Sequence, residues 1–388
     1  MLRIILVSSA CLLFGFHVAV AAASEDMPTQ PDGAKDVLLY PVEQKDGWGF
    51  INSEGKVVIA GPFSKAWWFS EGLAPVAVGD KWGFIDATGE FVVKPIYDNV
   101  ARFSEGFAAV LAGKKWGYID RKGTMVIKPA FEHAKAFSEG LALVWSTDRR
   151  RDRKSRIGYI DETGRFVVEP QYSGGLFRAR DFSEGLAAVT LTDEPRIGYI
   201  DREGRMIISP EFTYAEDFSE GLAAVATGHP LQPQYFYIDK TGKRVLALDS
   251  NVAHAYDFQE GLASIRYYGE KGEFSDMRVG CIDKQGRVVI DPVFSNIGPF
   301  SEGLAYATMT PAGKFGYIDR TGKIVIEMKF DWPGSFSNGV AQVQIDNRDS
   351  YIDKTGKYIW PPASGAVDEP RKASPPATDA PIDVKPSR

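Results

Sequence analysis

Histidine, the commonest general base and zinc ligand, is scarce here. His133, His229 and His254 stand far apart, and none sits in an H-E-x-x-H pair that would seat zinc. Cysteine is limited to Cys11 and Cys281, with no C-x-x-C pair. No G-x-S-x-G elbow, P-loop or G-x-G-x-x-G turn occurs, so nucleophilic, phosphoryl and dinucleotide chemistry lack their usual sequence geometry. Carboxylates abound, with 51 Asp and Glu, and an acid/base pair across a cleft stays open at this level. The reading is therefore of a chain with no catalytic residue, cofactor or metal marked out. A formal net charge of −6 also lacks the basic footprint of a nucleic-acid binder.

The elements that would position any site are repeats. One string, F-S-E-G-L-A-x-V with small departures, begins at Phe69, Phe103, Phe137, Phe182, Phe218, Phe258, Phe300 and Phe336. A second, W-G-[FY]-I-D-x-x-G, places its Asp or Asn at Asn52, Asp86, Asp120, Asp161, Asp201, Asp239, Asp283, Asp319 and Asp353. That makes nine units from about Leu38 to Pro362, spaced 34 to 44 residues apart. Each unit reads as three short strands: G-L-A-x-V, W-G-Y-I-D, and a run such as Phe91-Val92-Val93. Asp and Gly of D-x-x-G suit a tight turn, since Asp bonds the backbone two residues on and Gly accepts positive φ. Prolines such as Pro95, Pro129, Pro170, Pro210 and Pro292 are expected to stop the third strand, because they donate nothing to a ladder. An aromatic two residues later, such as Tyr97 or Phe131, is expected to plug the packing between units. The invariant alanines, among them Ala74, Ala108, Ala142 and Ala187, suggest close backbone approach between neighbours.

These motifs carry a resemblance. Lys81-Trp82-Gly83-Phe84-Ile85-Asp86, Lys115-Trp116-Gly117-Tyr118-Ile119-Asp120 and Phe103-Ser104-Glu105-Gly106 are similar to the WG-repeat (WG beta repeat) family of bacterial proteins. In later units Trp gives way to Ile157, Ile197, Tyr235, Val279 and Phe315, so an apolar plug is the requirement. The resemblance implies an all-β repeat module, often secreted or attached to other domains, and no catalytic residue. Architecture is expected to be an open or superhelical β-repeat array. Three strands are few for a propeller blade, nine units exceed the usual eight, and the units start and stop in the same phase. A closed propeller-like ring is the alternative.

The flanks have their own reading. Met1 to Arg3, the apolar run Ile4 to Val20, and Ala21-Ala22-Ala23 predict a signal peptide over residues 1–23, with export to the periplasm or beyond. An uncleaved anchor, or a lipoprotein acylated at Cys11, is the competing reading. Cleavage leaves Cys281, in a column filled by Tyr317 and Tyr351 in later units, as a buried plug with no disulfide partner. Residues 24–37 read as a flexible linker, 38–362 as the repeat domain, and 363–388 as a disordered Pro/Ala-rich tail.

Candidate binding residues lie where the repeat varies. Insertions all fall between the valine of G-L-A-x-V and the aromatic of W-G, and loops at one connection cluster on one face of an array. One insertion carries Arg149, Arg150, Arg151, Arg153, Lys154 and Arg156; another carries Tyr267 and Tyr268. Trp67 and Trp68 stand outside the consensus as candidate exposed aromatics. The glutamates of F-S-E-G (Glu71, Glu105, Glu139, Glu184, Glu220, Glu260, Glu302) form a periodic acidic row, read as exposed turn residues because their spacing does not converge oxygens on calcium. The function expected is a secreted, non-catalytic scaffold for protein–protein interaction. Envelope glycan binding is the alternative and a hydrolase the third reading; no nucleic acid and no stable membrane anchor are expected after cleavage.

Overall fold

A computed structural model describes residues 38–147, 155–173, 179–191, 196–229, 232–269 and 276–361. They form nine small antiparallel sheets, each built from strands consecutive in sequence. Blade 2 shows the plan. β4 (Lys65–Ala66), β5 (Ala74–Val78), β6 (Lys81–Ile85) and β7 (Phe91–Tyr97) pair in that order. Blade 1 contains β1 (Tyr40–Gln44), β2 (Gly47–Ile51) and β3 (Val57–Phe63), the counterparts of β5 to β7. The remaining blades cover residues 99–131, 133–173, 179–212, 214–247, 252–294, 296–330 and 332–360.

The expected three strands are four in seven of the nine sheets, because the residues just before F-S-E-G pair as well, Lys65 with Ala77 and Ala66 with Val76; in blade 5 this pairing is reduced to one bridge, Ala179 with Val189. Nor does the proline end its strand. β7 runs through Pro95 to Tyr97, with Trp82 opposite Tyr97 but Phe84 opposite Val93. The extra residues form a bulge, and Pro95 sits in it, where no ladder donor is required. This arch explains the W-G glycine: a Cβ on Gly83 would lie 2.3 Å from the Val93 carbonyl oxygen and 2.7 Å from the Pro95 nitrogen.

The two middle strands are buried on both faces, as Ala74, Val76, Phe84 and Ile85 show with 0% exposure. The alanine column is buried throughout, since any larger side chain would hold adjacent blades apart. Aromatics then bridge blades: Phe84 meets Phe103 at 4.8 Å and Tyr199 meets Phe218 at 4.9 Å between ring centroids. Burying each such ring contributes about 2 kcal/mol.

A second set of ties is polar and repeats from blade to blade. Ser70 Oγ donates to the Phe103 carbonyl, and Ser104, Ser138, Ser183, Ser219 and Ser301 do the same to their next blades. Tyr118, Tyr159, Tyr199, Tyr237 and Tyr317 donate their hydroxyls to carbonyls of the following blade. The glutamate row sits in turns, at φ of 51–54°. Its carboxylates, however, are not idle: each accepts the N–H of the next blade's F-S-E-G glycine, from Glu71 to Gly106 through Glu302 to Gly339.

The expected open array is overturned by the contact between the last blade and the first. Tyr40, Val42 and Ile51 of blade 1 pack with Val340 and Tyr351 of blade 9 in one buried cluster. Tyr351 donates its hydroxyl to the Pro41 carbonyl at 2.7 Å, 310 residues away. Gly55 lies against the backbone of Ile359. An open array would leave those apolar faces in water; closing nine blades into a propeller buries them. Among the described residues no strand is exchanged at the closure, which is why units beginning and ending in phase concealed it.

Candidate functional site

The repeated columns are occupied by folding. Function is sought where the ring departs from its own symmetry, and one departure is concentrated on blades 4 to 7. The residue two before each F-S-E-G phenylalanine is Lys135, Arg180, Glu216 and Tyr256 on these blades; the residue one before is Asp181, Asp217 and Asp257 on blades 5, 6 and 7. On blades 8 and 9 the same positions hold Gly298-Pro299 and Gly334-Ser335.

The side chains at these positions converge. Arg180 of blade 5 pairs with Glu216 at 2.6 Å and with Asp217 at 3.3 Å, both on blade 6. Lys135 of blade 4 reaches Asp181 of blade 5 at 3.1 Å. The charge of Arg180 is felt by Asp257, two blades away, as is that of Lys135 by Asp217. Blades two apart interact this closely only where they approach the axis of the ring, so the arc lines that axis.

Its electrostatics are strained. Glu216 and Asp217 sit above the usual carboxylate range, chiefly through burial. Asp257 is pushed up to about 8, first by burial and then by the charges of Glu216 and Asp217. One Asp257 oxygen is buried with no hydrogen-bond partner, as is one on Asp181 and one on Asp217. The arc nevertheless meets solvent: the side chains of Arg180, Asp217 and Asp181 are 29%, 36% and 41% exposed.

Beside it a hydrogen-bonded chain links blades 6 and 7. Tyr214 donates to Glu216 and lies 3.2 Å from His254 Nε2, while Tyr235 lies 3.2 Å from His254 Nδ1. Tyr214 and Tyr235 thus hold the two ring nitrogens of His254 between them. Burial, with the Arg266 and Arg180 charges, lowers His254 to about 4, so the imidazole is neutral. Among the described residues no cluster of His, Cys, Asp or Glu is arranged to hold a metal ion.

The hairpins between second and third strands rise from the blade end where the first strand begins, as His133 opposite Trp145 and Val252 opposite Tyr267 show. The F-S-E-G and D-x-x-G turns occupy the other end, with Arg121 donating to the Glu71 carbonyl. Asp-to-Asp spacing is longest, at 38 to 44 residues, in the units forming blades 4 to 7, where the charged arc lies. The longest hairpins, on blades 4, 6 and 7, thus fall on the same arc as these cross-blade ion pairs.

The residues singled out from sequence distribute unevenly about this arc. Arg149, Arg150, Arg151, Arg153 and Lys154 lie outside the described residues; Arg156 is half-buried on blade 4. Tyr267 packs beside the cluster of Tyr237, Val252 and Ile265, and the Tyr268 N–H donates to Asn251. Trp67 stacks on Trp82 at 4.6 Å, and Trp68 wedges against Tyr40 and Tyr351 at 5.9 and 5.6 Å, so neither is a free aromatic face. Cys281 is 1% exposed, as expected of a plug. The arc itself was missed. Its signal was present in D-F-[SQ]-E-G, shared by three successive units and no others.

The model of the WG containing repeat matches residues 48–82, 82–116, 116–144, 157–193, 197–228, 280–309 and 315–348. The chain belongs to the WG-repeat family. No curated protein sequence matches it. Among solved structures, this WG-repeat propeller is similar to a eukaryotic initiation factor, with TM-score 0.59, 12% identity, and coverage of 83% of this chain and 95% of that one. A looser likeness is to the β-propeller domain of the Trilobed protease from Pyrococcus furiosus, with TM-score 0.40, 10% identity, and coverage of 84% and 100%. At these identities the likeness is one of fold.

Proposed function

We propose that this WG-repeat propeller is an exported, non-catalytic scaffold that captures a protein partner on the axial face of blades 4 to 7. The observation that carries the reading is the coincidence of the longest hairpins, those of blades 4, 6 and 7, with the charged arc, on a ring otherwise close to symmetric. Repeat scaffolds encode binding in the loops and variable positions of one face. Two carboxylates, Glu216 and Asp217, share one guanidinium, Arg180, so a cationic group on the partner balances the arc. Export rests on the N-terminal sequence, and the destination is the periplasm or the medium.

The test immobilises the protein from residue 24 onward and passes envelope extract over it. A parallel column carries Asp181→Asn, Asp217→Asn and Asp257→Asn together. One protein retained by the parent and lost by the variant supports the reading. Equal retention moves the interface elsewhere. Retention of purified envelope glycan instead, with no protein, replaces the reading by carbohydrate binding.

A further inference from the structure

The glutamate clasps do not go all the way round. They tie every junction from blades 2–3 to blades 8–9, and stop. Blade 9 carries Asn338 where the others carry glutamate, and its amide donates back to Ser337 at 3.2 Å. Blade 1 has no F-S-E-G turn among the described residues, so it offers neither a glycine N–H nor a phenylalanine carbonyl to blade 9, and no serine or glutamate to blade 2. Its two junctions are closed mainly by side-chain packing, with the Tyr351 to Pro41 hydrogen bond on the blade 9 side. Tyr40, standing in the alanine column, packs with Trp68 and Tyr351, whereas the matching Tyr317 meets the F-S-E-G phenylalanine Phe336. Tyr351 accordingly bonds Pro41 on the strand after the turn position, whereas Tyr118, Tyr159 and Tyr199 bond the carbonyls of Lys135, Arg180 and Glu216, two residues before the F-S-E-G phenylalanine. On the other side Phe50 meets Phe69 at 5.0 Å.

We propose that blade 1 is a gate: the ring opens at the two junctions flanking it while blades 2 to 9, clasped in series, move as one body. In a nine-bladed ring blade 1 lies across the axis from blades 5 and 6. Opening there moves blade 1 away from the axis without breaking the Arg180, Glu216 and Asp217 contacts. Among the described residues the Tyr351 to Pro41 hydrogen bond stands at these two junctions against the serine and glutamate bonds of the clasped ones, and so sparsely bonded a joint separates as a unit.

Hydrogen exchange read by mass spectrometry on the full chain tests this. The amides of β1, β2 and β3 are expected to exchange together, roughly tenfold or more faster than the matching strands of blades 3 to 8. Trp68→Leu should accelerate blade 1 further and leave blades 4 to 7 unchanged. Glu139→Ala, which cuts one clasp, should bring fast exchange to the junction of blades 4 and 5. Protection of blade 1 equal to its neighbours overturns the proposal. So does a graded loss confined to β1 with β3 fully protected, which marks simple fraying of a chain end.

Discussion

Replacing Asp257 by asparagine should stabilise the protein at alkaline pH and do almost nothing at acid pH. The native carboxyl, crowded by Glu216 and Asp217 while Arg180 is engaged by both, is pushed up to about 8. In the unfolded chain it titrates near 3.9. A raised native value means that the folded state holds a proton the unfolded state releases. The parent therefore loses stability as pH rises from about 4 to about 8, and the loss is complete above that window. At about 1.36 kcal/mol per pKa unit, the ceiling is about 6 kcal/mol. Solvent reaching the axis and relaxation of the arc reduce this, and about 1–2 kcal/mol is expected. Asparagine keeps the shape and never ionises. Urea midpoints of parent and variant at about pH 4 and about pH 9 supply the comparison. The difference should open with rising pH and favour the variant. A difference independent of pH, or a variant weaker at about pH 9, would refute the account of this arc.

Cutting a clasp has a testable sign of its own. Glu105 accepts from the Glu139 and Gly140 N–H groups at 2.7 and 2.8 Å from a backbone at φ 54°, so Glu105→Ala should cost about 1–2 kcal/mol in thermal unfolding. Glu105→Gly should cost less than Glu105→Ala by about 1 kcal/mol, because glycine relieves the left-handed backbone. Gly83→Ala should abolish folding or cost about 3 kcal/mol or more, whereas Gly79→Ala, with nothing within 4 Å of its Cβ, should cost only about 1 kcal/mol. Tyr118→Phe should lower stability by about 1 kcal/mol by leaving the Lys135 carbonyl without its donor. Glu220 is held below the usual range because Lys284 and the Gly261 N–H outweigh its burial, so its contribution is present above about pH 4.3 and lost as pH falls through its native value. Acid unfolding of Glu220→Gln should begin from a lower plateau and be shallower below that pH.

Much of the repeat was legible because each recurring residue answers a local demand. Asp86 of D-x-x-G accepts from the Thr88 and Glu90 N–H groups, and Gly89 takes φ 90°, as the turn chemistry requires. Ala74 and Ala108 are fully buried where blades approach, as their constancy implied. The glutamate row was legible only by half. Its place in a turn follows from its neighbours, but its carboxylate bonds a backbone about 35 residues away, a distance that one unit's sequence does not encode.

The fourth strand was hidden because its residues, Lys65-Ala66 or Tyr214-Ala215, are variable and short, with no alternation of their own. The arc was hidden for a related reason. Asp181, Asp217 and Asp257 are separated in sequence by intervening repeats and meet only because curvature brings first strands to one axis. From sequence alone come the unit, its turns, its count of nine and its buried columns, since short-range hydrogen bonding and burial determine them. Whether nine such units stay open or close depends on the angle between successive blades, summed around the ring. That sum brought Tyr351 to Pro41, and it belongs to the tertiary structure because no single unit contains it.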